Sequence, residues 1–216
     1  MENNYLTIKQ NGTNEIDIKK SQFICSIARV ETEEEAIEFI NQVKEEHKKA
    51  THNCHAYVLG LDDYIQRASD NGEPSGTAGV PILEALKNIG VHNVVAVVTR
   101  YFGGIKLGAG GLIRAYSNAT TQAVEHVGVV KKVLQTEITI SVDYKSFDSL
   151  NYQLEENNEN IVDTIYTDKV SIVVAIDNKR IDSFKASVVE LLNGRVEMTD
   201  GDEKYFEIDF DPYKKD

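Results

Sequence analysis

Two segments carry the groups best suited to chemistry. Residues 70 to 79 read DNGEPSGTAG, and residues 100 to 111 read RYFGGIKLGAGG. In the first, the carboxylates of Asp70 and Glu73 stand among Asn71, Gly72, Pro74, Ser75, Gly76 and the Thr77 hydroxyl. Such a set can hold Mg²⁺ beside a phosphate, because that ion takes one or two carboxylates together with substrate oxygens. The structural alternative has Asp70 capping a turn, Glu73 pairing with an arginine and Thr77 capping the next helix. The second segment places Gly103, Gly104, Gly108, Gly110 and Gly111 within nine residues, directly after the apolar run Val94 to Val98. Glycine at that density serves positions of positive φ or of close approach by a backbone or ligand. The loop enters a helix expected at Leu112, whose first amides lack intrahelical partners and carry the positive end of the dipole. Arg100, Lys106 and Arg114 add positive charge, and Arg67 could join them. Convergent N–H donors with one or two cations would hold a phosphate. A tight turn packing strand on helix is the other reading, and the two are compatible.

Other motifs exclude more than they assign. No Gly-Lys-Ser/Thr ends the glycine loop, so it is not a Walker A loop, and Gly108-Ala109-Gly110 continues into Gly111-Leu112-Ile113 rather than the dinucleotide fingerprint. His52, Cys54 and His55 could bind metal or supply a thiol. On a strand, however, His52 and Cys54 share one face and His55 takes the other, leaving two ligands where zinc needs three or four. A catalytic thiol also needs a lowered pKa and an oriented base, and neither is visible. Catalytic residues therefore stay unassigned, and no metal or cofactor is expected. Tyr101 and Phe102 could stack on the bases of single-stranded RNA, or one could plug the core where the strand ends.

The elements that would position these loops follow from periodicity and punctuation. Residues 5 to 30 read as two strands around a turn at Gln10 to Glu15, marked by Asn11-Gly12. Thr32 and Glu35 form a capping-box pattern ahead of a helix with Ala36, Ile37, Ile40 and Val43 on its apolar stripe. His52 to Leu61 reads as a strand. Pro81 fits the first turn of a helix that runs to about Asn88, with Gly90 as its C-terminal cap. Asn93 to Arg100 is too continuously apolar for a strand with one wet face, so it reads as buried. A helix from Leu112 to Val127 ends at Gly128. Beyond a linker expected at residues 129 to 135 the pattern becomes strand 136–142, helix 144–157, strand 161–167, strand 170–176, helix 180–192 and strand 203–209. Residues 195 to 198 form an extra or leading strand. This is the ferredoxin-like βαββαβ order. The division expected is 1–130 and 136–210.

Charge constrains the partners. The 216 residues carry a net charge of −12. Residues 1 to 135 hold 14 Lys and Arg against 16 Asp and Glu, and residues 136 to 216 hold 9 against 19. Bulk charge therefore cannot drive binding to a phosphate backbone, whose affinity comes from basic contacts that release counterions. Between Arg67 and Arg114, five basic residues face three acidic ones, a local excess that suits a confined RNA contact and gives no reason to expect DNA. The chain opens without a charged-then-apolar leader, and its longest strictly apolar run is five residues, so no membrane association is expected. Two isolated cysteines suit a reducing compartment, and the cytoplasm is the expected location.

The segments Lys20-Ser21-Gln22-Phe23-Ile24, His52-Asn53-Cys54-His55-Ala56-Tyr57, residues 70 to 79 and Arg100-Tyr101-Phe102-Gly103-Gly104 with Leu107-Gly108 closely resemble the signature of the IMPACT family. The resemblance covers about residues 18 to 125. It implies an α+β N-terminal domain with the fold of a small-subunit ribosomal protein domain and an elongation-factor domain. It also implies a C-terminal ferredoxin-like domain, as bacterial members carry. The role implied is tied to translation or its regulation, through ribosomal components, RNA or a regulatory protein. The alternatives are a phosphate-binding enzyme acting on a small metabolite and a pure protein-interaction adaptor. A binding role is the expectation over an enzymatic one, since no nucleophile–base pair is recognisable.

Overall fold

The computed structural model describes residues 4 to 214. The chain forms two compact units, one spanning Tyr5–Lys131 and taking in the chain from Ile208 onward, the other spanning Lys132–Glu207.

The first unit is built on an antiparallel sheet in the order β2 (Gly12–Ile18), β3 (Ser21–Arg29), β6 (Val94–Tyr101), β4 (His52–Leu59) and β5 (Ile65–Ser69). The continuous apolar run puts β6 at the centre, where its first seven residues are buried. Because side chains alternate across a strand, Ala96 and Val98 face one side and Val95 and Val97 the other. Helices α2 (Gly79–Ile89) and α3 (Ala109–Val127) cover the first face, where Cys54, Val58, Ile82, Leu86, Ala115 and Tyr116 join the core. Helix α1 (Glu33–Glu46) covers the second through Ala36, Ile40 and Val43. Thr32 caps α1 by accepting from the Glu35 amide, and Gly90 ends α2 with a left-handed φ of 82°. Strand β1 (Tyr5–Ile8) is tied in by an isolated bridge between Leu6 and Val91 and by the Lys9 amide donating to the Gly128 carbonyl.

Three expectations are corrected here. Residues 5 to 30 form three strands rather than two, because β2 runs through Asn14 and Glu15 and the tight turn falls later, at Lys19-Lys20. Both lysines have positive φ, 47° and 65°, as a two-residue hairpin turn of the I′ kind requires. Lysine gives no turn signal, and so the sequence concealed it. Strand β5 is an edge strand without a buried residue, which left its apolar pattern too weak to read. Helix α3 starts at Ala109, three residues before Leu112, and takes Gly110 and Gly111 into its first turn.

The second unit follows the βαββαβ order: β7 (Val129–Val142), α4 (Tyr144–Glu156), β8 (Asn160–Tyr166), β9 (Val170–Asp177), α5 (Ile181–Leu191) and β10 (Glu197–Phe210). Strands β9 and β10 both pair with β7, and β8 pairs with β9, giving the spatial order β10–β7–β9–β8. Ile138, Ile140, Ile172 and Val174 pack one face against Leu150 and Leu154 of α4 and Phe184 and Val188 of α5. The boundary between the units falls within residues 129 to 135, as expected, but these residues are extended rather than loose: they open the 14-residue strand β7. Residues 195 to 198 and 203 to 209, read as separate, merge largely into β10.

Candidate functional site

Two helices of the first unit begin beside each other's loops, and their N-termini are finished in opposite ways. Ahead of α2, the Asp70 carboxylate accepts from three backbone amides: Gly76 at 2.8 Å on one oxygen, Ala78 at 3.0 Å and Gly79 at 2.8 Å on the other. Partial burial alone would raise the Asp70 pKa, but the three amide donors outweigh it and hold the carboxyl below its ordinary value. Asp70 thus caps α2 from eight and nine residues away, with both oxygens engaged by backbone amides. The Thr77 hydroxyl donates to the Pro74 carbonyl at 2.6 Å and does not cap the helix.

Glu73, in the same loop, lies under the surface with its side chain 3 % exposed. Its Oε1 accepts from Arg100 Nη1 at 2.7 Å and from the Tyr116 hydroxyl at 2.8 Å. The Arg100 guanidinium lies over the rings of both Phe23 and Phe102, its carbon 5.4 Å from each ring centroid, and its Nη2 donates to Ser21 Oγ. Arg100 Nε is buried without a partner. His52 approaches the other carboxylate oxygen, with Nε2 3.8 Å from Glu73 Oε2, while its Nδ1 bonds the Asn71 carbonyl at 3.0 Å. Below them Cys54 Sγ lies 2.9 Å from the Asp70 carbonyl and 3.4 Å from the Tyr116 hydroxyl. Burial raises the Cys54 pKa to about 12 against the lowering effect of Tyr116, with Glu73 and Asp70 pushing it further up. This thiol is no nucleophile near neutral pH. Burial likewise raises Tyr116 well above a free phenol, with Cys54 and Glu73 adding to it.

The glycine loop closes over this cluster. Gly103 packs on the β2–β3 turn so tightly that a Cβ there would lie 1.8 Å from the Lys20 carbonyl oxygen, and its amide donates to Ser21 Oγ at 3.2 Å. The chain then enters α3 through Gly108, at φ 71° and ψ 166°, a region open essentially to glycine alone. No serine, threonine or aspartate can therefore sit at this N-cap. Among the described residues, nothing accepts from the amides of Ala109, Gly110 or Gly111. Gly110 has no neighbour within 4 Å of where a Cβ would stand, so packing does not demand glycine there.

Two concavities flank this bare helix end and share Leu107. A cleft of about 450 Å³ is lined by His52, Glu73, Arg100, Phe102, Lys106 and Gly108, among others. A shallower groove of about 740 Å³ runs past Lys19, Gly111, Arg114, Asn118 and Thr121. Lys19, Lys20, Lys106 and Arg114 are exposed and form no ion pair among the described residues. The bare amides and these cations suit an anion.

The remaining expected site residues divide. Arg100 is a buried half of an ion pair, not a contact charge. Tyr101, next along β6, points to the opposite face, where its hydroxyl meets His47 Nδ1 at 2.9 Å. Arg67 is on edge strand β5, paired with Glu33 at 3.3 Å on the α1 side. Phe102 stands exposed at the cleft. Gly104 has positive φ in the loop between them, and Gly72 does so beside His52. Ser75 and Gly76 lie exposed, while the Asn71 side-chain oxygen accepts from the Asn53 amide. The sequence singles out neither Tyr116, Lys19 nor Lys20, and it raises His52 only as a possible metal ligand. For Tyr116 a signal existed: it falls on the buried stripe of α3 with Leu112, Ala115 and Ala119, and a buried tyrosine hydroxyl needs a partner. No group of three or more His, Cys, Asp and Glu side chains among the described residues is arranged to hold a metal.

An α+β unit with paired loops around a bare helix end, joined to a ferredoxin-like unit, defines a two-domain class of protein. Residues 19–124 match the family model of the Impact N-terminal domain, and residues 140–195 match a domain of unknown function (DUF1949). The chain is 45 % identical to IMPACT family member YvyE of Bacillus subtilis over 96 % of its length and 95 % of that protein. It is 36 % identical to IMPACT family member YigZ of Escherichia coli, over 84 % of this chain and 90 % of that one. A crystal structure described as that of a hypothetical protein superposes with a TM-score of 0.59 at 34 % identity, covering 92 % of this chain and 97 % of the other. This chain belongs to the IMPACT family, as a two-domain member of the bacterial type. Protein IMPACT of Oryctolagus cuniculus is 34 % identical over 95 residues, 42 % of this chain and 29 % of that protein. No helix among the described residues is long and apolar enough to cross a membrane.

Proposed function

We propose that the chain acts in translation or its regulation in the cytoplasm, by holding a phosphate-bearing segment of RNA across the open end of α3. The observation that carries this is the contrast between the bare α3 amides, on a backbone that forbids a capping side chain at Gly108, and the α2 amides beside it that Asp70 holds. Backbone amides at a helix start bind phosphate oxygens through the dipole and unfilled N–H groups. Lys19, Lys20, Lys106 and Arg114 supply local positive charge in an otherwise acidic chain, and Phe102 offers a ring for a base to stack on. The RNA contact is local, and the ribosome is its natural source in a protein of this family.

The test is co-sedimentation with ribosomes and isolated subunits across a salt series, using wild type, Lys106→Glu and Gly110→Asp. Both substituted positions are exposed, so the variants should stay folded. Wild type should pellet at low salt and be released as salt rises, and both variants should remain in the supernatant. Salt-independent pelleting, or variants that pellet like wild type, would refute the reading. A cleft of about 450 Å³ also falls within the size range of small-ligand sites. Mg²⁺-dependent thermal stabilisation by a phosphorylated metabolite, with no ribosome binding, would move the protein to the enzyme class. Failure of both would leave a protein partner as the occupant.

A further inference from the structure

His52 and Glu73 line the same cleft as the start of α3. Glu73 Oε1 already receives Arg100 Nη1 and the Tyr116 hydroxyl, and no hydrogen bond reaches Oε2 among the described residues. His52 Nδ1 faces the Asn71 carbonyl at 3.0 Å, a contact that only a protonated Nδ1 makes, so the neutral ring presents the lone pair of Nε2. That Nε2 is 3.8 Å from Glu73 Oε2, beyond hydrogen-bond reach. Glu73 is 3 % exposed and lines the cleft, so Oε2 is an acceptor that a ligand entering there can meet. An oxygen placed between the two atoms reaches both within ordinary hydrogen-bond distance, since their separation is well below twice that distance.

Resting on the reading that RNA phosphate occupies the α3 end, we propose that His52 Nε2 and Glu73 Oε2 recognise the ribose 2′-hydroxyl and make the site selective for RNA over DNA. A hydroxyl has one proton to donate, while its own lone pairs remain open to a donor. Its proton is therefore shared between Glu73 Oε2 and the Nε2 of a neutral His52, and beside a protonated ring the hydroxyl accepts from Nε2–H. A deoxyribose puts a C–H at that point and leaves the carboxylate oxygen unpaired. The rest of the wall fits this role. Arg100 neutralises the charge of Glu73, so the carboxylate does not repel the neighbouring phosphate as a bare anion would. The Asn71 carbonyl fixes the imidazole plane, and Gly72 leaves room for it, since a Cβ at Gly72 would stand 3.2 Å from Nδ1. The 2′-hydroxyl is the group by which a protein tells RNA from DNA at a given position.

The test is fluorescence anisotropy on the full chain with a labelled single-stranded RNA and a DNA of the same sequence carrying deoxyuridine for thymidine, at one low salt concentration. Only the 2′ group then differs. Wild type should bind the RNA at least about tenfold tighter, the equivalent of one charge-assisted hydrogen bond. In His52→Ala, checked for folding by circular dichroism, the RNA-to-DNA ratio should fall below about threefold. Equal affinity of wild type for both strands would overturn this inference and leave the phosphate reading standing. So would a strong RNA preference that persists unchanged in His52→Ala. Binding to neither strand would overturn both.

Discussion

Helices α2 and α3 begin a short distance apart on the same face of one sheet, and the chemistry at their first turns is opposite. At α2 the loop turns its polar groups inward: Asp70 holds three amides, one Glu73 oxygen holds Arg100 and Tyr116, and the Thr77 hydroxyl holds a carbonyl. At α3 the first three amides, Lys106 and Arg114 have no internal partner. A fold can make either kind of helix end from a glycine-bearing loop. The difference lies in whether a carboxylate reaches back to the amides, and at α3 the conformation of Gly108 excludes one at the cap. The lesson is that two motifs with two charged residues each can differ in kind: residues 70 to 79 turn Asp70 onto their own helix, and residues 100 to 111 leave the helix amides open to a ligand.

The sharpest way to break this comparison is at the buried pair. Arg100→Met would leave the Glu73 carboxylate buried and unpaired, a change that costs about 3–5 kcal/mol and lowers the melting temperature by on the order of 10 °C. A loss under about 1 kcal/mol in calorimetry would show that the first loop is not held by this contact. Next comes the cap. Asp70→Ala should cost about 1–2 kcal/mol by chemical denaturation. Because the folded carboxyl titrates below its unfolded value near 4, its contribution is complete above about pH 4. It is lost as pH falls through the lower folded value. The gap between wild type and Asp70→Ala should thus be constant from pH 5 upward and close in acid. A gap that widens on acidification would contradict the capping assignment. The smallest effect has the opposite sign. Gly110→Asp places a better helix former and a negative charge in the first turn of α3, where a Cβ meets nothing. It should add about 0.5–1.5 kcal/mol. A variant that is more stable and yet fails to bind RNA would separate the two helix ends cleanly, and a destabilised one would show that α3 is not open as described.

How much of this could be read beforehand differs by scale. The central strand and the helices announced themselves, because a run such as Val94 to Val98 and punctuation such as Thr32, Pro81 and Gly90 act locally. The two loops were visible as glycine-rich motifs, and pairing of Glu73 with an arginine stood among the alternatives. What could not be read was which charges face out. Arg100 and Tyr101 are adjacent, so strand alternation sends one into the cluster and the other to His47, and both lose the contact role proposed for them. The site also gathers Ser21, His52, Glu73 and Tyr116 from four elements, a convergence that depends on strand order rather than on any local spacing. The Lys19-Lys20 turn was hidden for a simpler reason: a residue type that rarely adopts positive φ does so twice.

Phe102 is exposed at the cleft, its ring 5.4 Å from the carbon of the Arg100 guanidinium. The chain contains ten tyrosines and no tryptophan. An indole introduced by Phe102→Trp would be the sole emitter of its kind, set at the entrance of the cleft beside a cation. Its emission colour would respond to whatever excludes water from that entrance, turning the occupancy of the site into an optical signal that requires no label on the ligand.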